Sequence, residues 1–168
     1  MKKRWEFLPE FVYGGTDGAI TTFAVVSGVI GASLSSSIVL ILGFANLIAD
    51  GFSMAVSNYL STKSRNEMLK CKAEARKTAL ATFIAFLIIG IIPLFSFVVA
   101  AITQNDYLIK MQFIYSIFLT GIAMLIIGAI KGRVTKKSKI KSALQTFLIG
   151  GTAALLAFIV GYLLRNLG

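Results

Sequence analysis

The stretch Asn46-Leu-Ile-Ala-Asp50-Gly-Phe-Ser-Met54-Ala-Val-Ser-Asn58 lies inside an apolar run that extends from about residue 38 to residue 61. A run of this length can cross a bilayer as a helix. A carboxylate such as Asp50 is costly within such a run and marks a candidate functional site. Each helical residue advances by about 100°, which places four polar residues within about 60° of one another. They are Asn46, Asp50, Ser53 and Ser57, with Met54 and Asn58 flanking them on one side. A polar stripe of this kind must face a partner helix or a water-filled path.

The whole chain is apolar, since 57% of its 168 residues are hydrophobic and its mean hydropathy is +0.82. Apolar runs long enough to span a membrane recur along it, which is the signature of transmembrane helices. We therefore expect an all-α, polytopic membrane protein whose single transmembrane domain fills residues 1–168 and contacts the lipid bilayer. The five predicted spans are about 11–32, 38–61, 78–102, 111–130 and 142–164, with a kink at Pro93 in the third.

The net charge of +10 also occurs in proteins that bind nucleic acid. Here, however, 15 of the 17 Lys and Arg residues lie in three clusters next to the apolar runs, at 1–10, 62–77 and 131–141. Basic clusters beside transmembrane spans mark the cytoplasmic side. The sequence therefore predicts a cytoplasmic N-terminus, a C-terminus outside and no nucleic-acid partner. We expect the protein in the cell membrane.

The chain contains no histidine and a single cysteine, Cys71. This composition excludes an intrachain disulfide, a zinc site of Cys and His ligands, and His-based catalysis. The predicted spans also lack a paired acid and nucleophile with an evident catalytic geometry. We therefore expect a protein that is not an enzyme and that holds no permanently bound cofactor.

The first predicted span contributes a second acid, Asp17, on a face that otherwise carries a hydroxyl and small side chains. Asp17 lies about 9 Å from the cytoplasmic end of its span, Met54 lies at a similar depth in the second span, and Asp50 lies about one turn deeper. Two carboxylates with a thioether suit Fe(II) or Mn(II), held weakly as transport requires. Removal of a carboxylate from water favours its protonated form. Asp17 and Asp50 are therefore also candidates for exchanging protons against metal.

Other interpretations of these residues stay open. A membrane Asp can act only as a hydrogen-bond partner of a neighbouring helix, and a Met can act only in packing. Asn46 and Asn58 are weaker candidate ligands, with interhelix hydrogen bonds as the alternative. Glu67 and Glu74 would share a helical face with Cys71 if the second helix continued into the first basic loop. That face could collect metal, or it could be a solvated extension of mixed charge.

Two linked segments, Asp17-Gly-Ala-Ile-Thr-Thr-Phe23 and Gly43-Phe-Ala-Asn-Leu-Ile-Ala-Asp-Gly-Phe-Ser-Met-Ala55 followed by Tyr59-Leu-Ser61, resemble the vacuolar iron transporter family. The match in order and spacing covers about residues 14–67. The resemblance implies a homodimer with the ion path between the first helices. It also implies export of Fe(II), often also Mn(II), from the cytosol, driven by proton exchange. The membrane Asp and Met of the family's pathway would correspond to Asp17 and Met54.

The chain departs from the family pattern in two places. Many members carry a Glu-rich cytoplasmic helical domain between the second and third spans, where this chain has only residues 62–77. Many also carry Gly-Glu shortly after Ser-Met-Ala, where this chain has Ser57-Asn58. The sequence therefore predicts a short form of a metal exporter. The alternatives are a non-transporting membrane scaffold or assembly subunit, and a small transporter of an organic cation.

Overall fold

The structure is a computed structural model that describes residues 7–166 and folds them into six α-helices. The helices are α1 (Leu8–Gly31), α2 (Ser36–Leu69), α3 (Ala75–Gly90), α4 (Ile92–Thr103), α5 (Asp106–Val134) and α6 (Lys139–Leu164). The residues that the structure describes contain no β-strand, and the prediction of an all-α fold is confirmed. The first basic cluster, at residues 2–4, lies outside the described residues.

The helices α3 and α4 together correspond to the predicted third span, and the kink lies where Pro93 predicted it. The two helices are bent by 49° relative to each other, with Ile91 between them. Pro93 has no N–H to donate to the carbonyl of Ile89, four residues earlier, and its ring crowds the preceding turn. One long helix is therefore replaced by a helix that ends at Gly90 and another that begins at Ile92.

Within residues 7–166, three helices are long and apolar enough to cross a membrane, namely α2, α5 and α6. The bent pair α3–α4 makes a fourth span if it is counted as one. The chain is therefore an integral, multi-pass membrane protein. The helix α1 has 24 residues and is not one of these three; it contains Asp17 and several glycines. The count of five spans and the sides on which the termini lie stay predictions.

The helix α1 packs closely against its neighbours because glycines allow backbone to meet backbone. A Cβ added at Gly18 would lie 2.5 Å from the carbonyl oxygen of Phe86, and one at Gly14 would meet the carbonyl oxygen of Thr82. At the other end of α1, Gly31 lies equally close to the backbone of Phe158 in α6. Small residues serve this purpose in membrane bundles. The step from Gly14 to Gly18 therefore joins α1 to α3 of the same chain.

The connections between helices gather at the two ends of the bundle. The start of α1, the α2–α3 connection and the α5–α6 connection lie at one end, together with most of the basic residues. We call this the basic end, and the positive-inside rule predicts that it faces the cytoplasm. The α1–α2 and α4–α5 turns lie at the opposite end.

Two predicted boundaries differ from the structure. The helix α2 continues two turns past the predicted span end at residue 61, where buried Thr62 approaches Thr78 of α3, with 3.4 Å between the hydroxyl oxygens. The polar connection after the third span is short, because α5 already begins at Asp106. The Asn105 side chain caps this helix by accepting hydrogen bonds from the N–H groups of Tyr107 and Leu108.

Candidate functional site

Asp17 lies half-buried in α1, on the wall of a cavity of about 370 Å³ between the start of α1 and the end of α5. The lining residues are Pro9, Val12, Tyr13, Thr16, Asp17, Lys131, Val134 and Thr135. No Lys or Arg among residues 7–166 forms an ion pair with Asp17. The carboxylate therefore faces a space at the basic end that can admit water or an ion.

The structure brings Asp50 of α2 to the level of Asp17. Gly18 packs against the backbone of Phe86, and Gly51 packs against the ring of the same residue. Asp17 and Asp50 directly precede these two glycines on antiparallel helices, so the two acids lie within about one helical turn of each other in depth. Their carboxylates are close enough to interact electrostatically. The packing of α1 and α2 around α3 therefore places the two acids near each other, and their joint role in binding metal stays a prediction.

The polar stripe of α2 points mainly out of the protomer. Asp50, Ser53 and Ser57 are exposed, whereas Asn46 and Met54 are half-buried. Met54 lies about one helical turn from Asp50 toward the basic end, as the spacing predicted. No group of three or more His, Cys, Asp or Glu side chains comes together within the described residues. A metal site built from this protomer alone would have two carboxylates and one thioether.

Asn58 forms an interhelix hydrogen bond, which was the alternative to a ligand role. Its Nδ2 donates to the Thr82 hydroxyl of α3 at 3.1 Å, and its Oδ1 lies 3.4 Å from the hydroxyl of Thr62. The Nδ2 atom of Asn46 is buried and has no hydrogen-bond partner within residues 7–166. Asn58 therefore ties α2 to α3, and the metal-ligand role of both asparagines stays a prediction.

The shared helical face predicted for Glu67, Cys71 and Glu74 does not form. The helix α2 ends at Leu69, because Lys70 adopts a left-handed conformation with φ of 51°. Cys71 is exposed in the connection, and Glu74 forms a surface ion pair with Lys77, with 2.6 Å between the charged atoms. The prediction of one face was wrong, because it required a helix that continues through residue 74. The individual metal-ligand roles of Glu67 and Glu74 stay predictions.

Two residues near Asp17 were not singled out from the sequence. Lys131 was counted with the second basic loop, yet it belongs to α5 and lines the Asp17 cavity. Its spacing from Ile127 and Val134 could have placed it on the α5 face that meets α1. Glu10 directly precedes the first predicted span, which begins at about residue 11, yet it belongs to the first turn of α1, and its Oε2 is buried without a partner among the described residues. Glu10 precedes Asp17 by two turns and so lies on the same face of α1.

Comparison with known proteins assigns the chain to a family. A sequence model of the VIT family matches residues 8–77 and 71–162. The chain belongs to the VIT family. It is 26% identical to the vacuolar iron transporter of Plasmodium berghei, over 96% of this chain and 83% of that protein. It is 28% identical to vacuolar iron transporter homolog 4 of Arabidopsis thaliana, over 91% and 81% of the two chains. These relatives are named as transporters and not as enzymes, which agrees with the expectation that the chain is not an enzyme.

The alignments to VIT family relatives differ in length. The match to the family model comes in two parts that meet at residues 71–77. The alignment to the Plasmodium berghei protein extends over 227 positions, although this chain has 168 residues, whereas the alignment to the Arabidopsis homolog extends over 167. The break in the family match therefore falls in the connection where the sequence departs from many members by its short length.

Proposed function

We propose that this VIT family protein transports Fe(II) or Mn(II) out of the cytoplasm in exchange for protons. In this proposal, Asp17 and Asp50 bind the metal and exchange protons, and Met54 is the softer ligand. The path runs between α1 helices at the two-fold interface of a homodimer. The observation that carries the proposal is the approach of two carboxylates, on α1 and α2, next to an exposed polar stripe.

The exposed carboxylate of Asp50 supports the dimer. A charged side chain at membrane depth is costly when it faces lipid and is normally directed to a protein interior or a water-filled cavity. Asp50, Ser53 and Ser57 are exposed on the protomer, along a helix apolar enough to span the membrane. A second copy placed on this face covers the stripe and supplies Asp17, Asp50 and Met54 again. The combined ligands then suffice for one divalent ion.

The face of α1 from Glu10 to Asp17 supports entry of the metal from the basic end. Glu10, Tyr13 and Asp17 follow one another at spacings of three and four residues, so they lie on one side of the helix. Tyr13 and Asp17 line the cavity at this end. Oxygen ligands placed along one face allow an ion to pass from site to site without tight binding at any one of them. The cell membrane as the location stays part of this proposal, since the relatives' names refer to the vacuole.

The decisive experiment measures uptake of Fe(II) and Mn(II) into proteoliposomes, with and without a pH gradient. The wild type is compared with Asp17→Asn and with Asp106→Asn, an exposed acid at the start of α5 that serves as the matched control. We expect uptake that needs the gradient, that is lost in Asp17→Asn and that is retained in Asp106→Asn. Absence of uptake of either metal by folded, dimeric wild type would refute the proposal and favour a non-transporting scaffold.

A small organic cation is the second candidate substrate, and the cavity beside Asp17 favours it. A volume of about 370 Å³ falls in the range of small-molecule sites, and most of the surface that lines the cavity is apolar. A single carboxylate in such a cavity can hold a compact ammonium group. The same proteoliposomes distinguish the candidates, because an organic substrate would leave Fe(II) and Mn(II) uptake absent while a tetraalkylammonium ion is transported.

A further inference from the structure

Two threonine hydroxyls lie fully buried in the middle of the protomer without a hydrogen-bond partner among residues 7–166. They belong to Thr22 of α1 and Thr120 of α5, and each residue has 0% of its surface exposed. Buried hydroxyls are normally hydrogen-bonded, and one left unpaired costs about 1–3 kcal/mol. For comparison, Thr146 of α6 is equally buried, but its hydroxyl donates to the carbonyl of Ser142 at 3.0 Å.

The packing of the helices places Thr22 and Thr120 at the same depth. Gly15 faces Ile127, with 3.7 Å from the position of an added Cβ to the Ile127 Cδ1. Thr22 follows Gly15 by seven residues, and Thr120 precedes Ile127 by seven residues on an antiparallel helix. Seven residues are about two helical turns, so Thr22 lies on the same face of α1 as Gly15, and Thr120 lies on the same face of α5 as Ile127. The two hydroxyls therefore lie on the facing sides of α1 and α5.

The same register places Thr22 beside the break between α3 and α4. Gly90, the last residue of α3, packs on Gly18, with 3.1 Å from the position of an added Cβ to the Gly18 carbonyl oxygen, so Thr22, one turn further along α1, lies beside the break. Pro93 removes a backbone donor at this break. The Ser116 hydroxyl of α5 donates to the Pro93 carbonyl at 2.6 Å. Broken helices in transporters expose backbone groups that bind polar ligands near mid-membrane.

A row of polar side chains connects this region to the opposite end. Gln112, Ser116 and Thr120 follow one another on α5 at intervals of four residues and are buried. The Gln112 backbone carbonyl accepts a hydrogen bond from Ser96 of α4 at 2.7 Å, and its Nε2 donates to the Ser36 hydroxyl at 2.6 Å. Ser36 and Gln112 in turn line a cavity of about 200 Å³ at the opposite end. The row covers about 12 Å of the helix axis.

We propose that Thr22 and Thr120 bind an internal water molecule beside the α3–α4 break, and that the row along α5 links this water to the cavity at the opposite end. The site lies inside each protomer, apart from the polar stripe of α2. Hydroxyl, amide and backbone oxygen atoms without a formal charge suit water better than a metal ion. Through this link, protons that enter from the opposite side reach Thr22. Thr22 lies about 8 Å from Asp17 along the axis of α1. This proton role rests on the proposed exchange of metal for protons, whereas the water site does not.

The test replaces each hydroxyl by a methyl group of the same shape, in Thr22→Val and Thr120→Val, with Thr146→Val as the control. A dry, unpaired hydroxyl is unfavourable, so its removal would raise the melting temperature. A hydroxyl that binds water stabilises the fold, so its removal lowers the melting temperature. We expect both variants to melt about 2–4 °C below the wild type, as Thr146→Val does through loss of its bond to Ser142, and Thr22→Ser, which retains the hydroxyl, to recover part of the loss. Melting of both variants at or above the temperature of the wild type would overturn the water site.

A second measurement tests the proton role in proteoliposomes that contain a pH-sensitive dye. We expect metal-driven proton flux to fall at least tenfold in Thr22→Val and Thr120→Val and to stay unchanged in Thr146→Val. Unchanged flux in both variants, from wild type that does exchange metal for protons, overturns the link to Asp17. A wild type without any metal-dependent proton flux refutes the exchange itself and with it the proton role, while the melting temperatures still decide the water site.

Discussion

The substitution Gly18→Ala tests whether the spacing between α1 and α3 fixes the position of the two carboxylates. The added Cβ would lie 2.5 Å from the Phe86 carbonyl oxygen, whereas ordinary van der Waals contact begins at 3.4 Å. The two helices must therefore separate by about 0.9 Å at this point. Both contacting groups belong to helix backbone, so neither can rotate away as a flexible side chain could.

This separation has a structural and a functional consequence. Overpacking of this kind costs about 1–3 kcal/mol, and each kcal/mol lowers the melting temperature of a domain of this size by about 2–4 °C. Asp17 precedes Gly18 on α1, whereas Phe86 also packs on Gly51 beside Asp50. Widening the gap therefore moves Asp17 away from Asp50. A misplacement of about 1 Å can cost about 10²-fold in rate, so we expect metal uptake to fall by about ten- to hundredfold.

The assay compares melting temperature and proteoliposome uptake of Gly18→Ala with those of Gly151→Ala. Gly151 is the matched control, because it lies in α6 and an added Cβ would have no neighbouring atom within 4 Å. Alanine favours the helix over glycine by about 1 kcal/mol, so this control should be at least as stable as the wild type. Unchanged melting and uptake in Gly18→Ala, or equal losses in Gly151→Ala, would refute the reasoning.

Three further predictions concern the residues around the two acids. Asp50→Asn should lower metal uptake at least tenfold, because an amide cannot supply the negative charge. Uptake equal to that of the wild type, at equal amounts of reconstituted protein, would show that Asp50 is not part of the transport path. Lys131→Met should lower the KM for the metal by about fivefold, which is the effect in water of one unit charge about 8 Å from a divalent ion, and an unchanged or higher KM would contradict this. Thr82→Val should destabilise the protein by about 1 kcal/mol through loss of the Asn58 bond. A thermal melt beside Thr152→Val, at an exposed position of α6, checks this last prediction, and equal melting temperatures would refute it.

Local features of the fold could be predicted from the sequence because they depend on one helix at a time. Pro93 cannot donate to the carbonyl four residues earlier, so the bend in the third span follows from its chemistry alone. That Asp17 and Asp50 lie within about one turn of each other in depth could also be predicted, because their depths follow from residue counts along two antiparallel helices. The end of α2 could not be predicted, because Lys70 takes a left-handed conformation and no glycine or proline at that position signals it. The face expected for Glu67, Cys71 and Glu74 was lost for that reason.

Features that depend on which helices are neighbours could not be predicted from the sequence. Two glycines four residues apart, such as Gly14 and Gly18, let a second helix approach closely, but only the structure shows that α3 of the same chain is that helix. Lys131 and Asp17 are distant in sequence and line one cavity because α5 returns to the start of α1. Thr22 and Thr120 are unremarkable threonines in apolar spans, and their lack of a partner becomes visible only when the two helices are placed face to face.

In the proposed dimer, the charge of the site links metal exit to proton return. Asp17 and Asp50 of two protomers bring four carboxylates near one axis, among apolar helices. Two like charges about 4 Å apart repel by about 4 kcal/mol at an effective dielectric constant of 20, so four ionised carboxylates cannot stay unneutralised there. One divalent ion offsets two of the charges, and protons must offset the others. When the ion leaves, its two carboxylates must take up protons before the empty path can return to the cytoplasmic side. In the proposed exchange, proton return is therefore a condition of each transport cycle and not a separate activity.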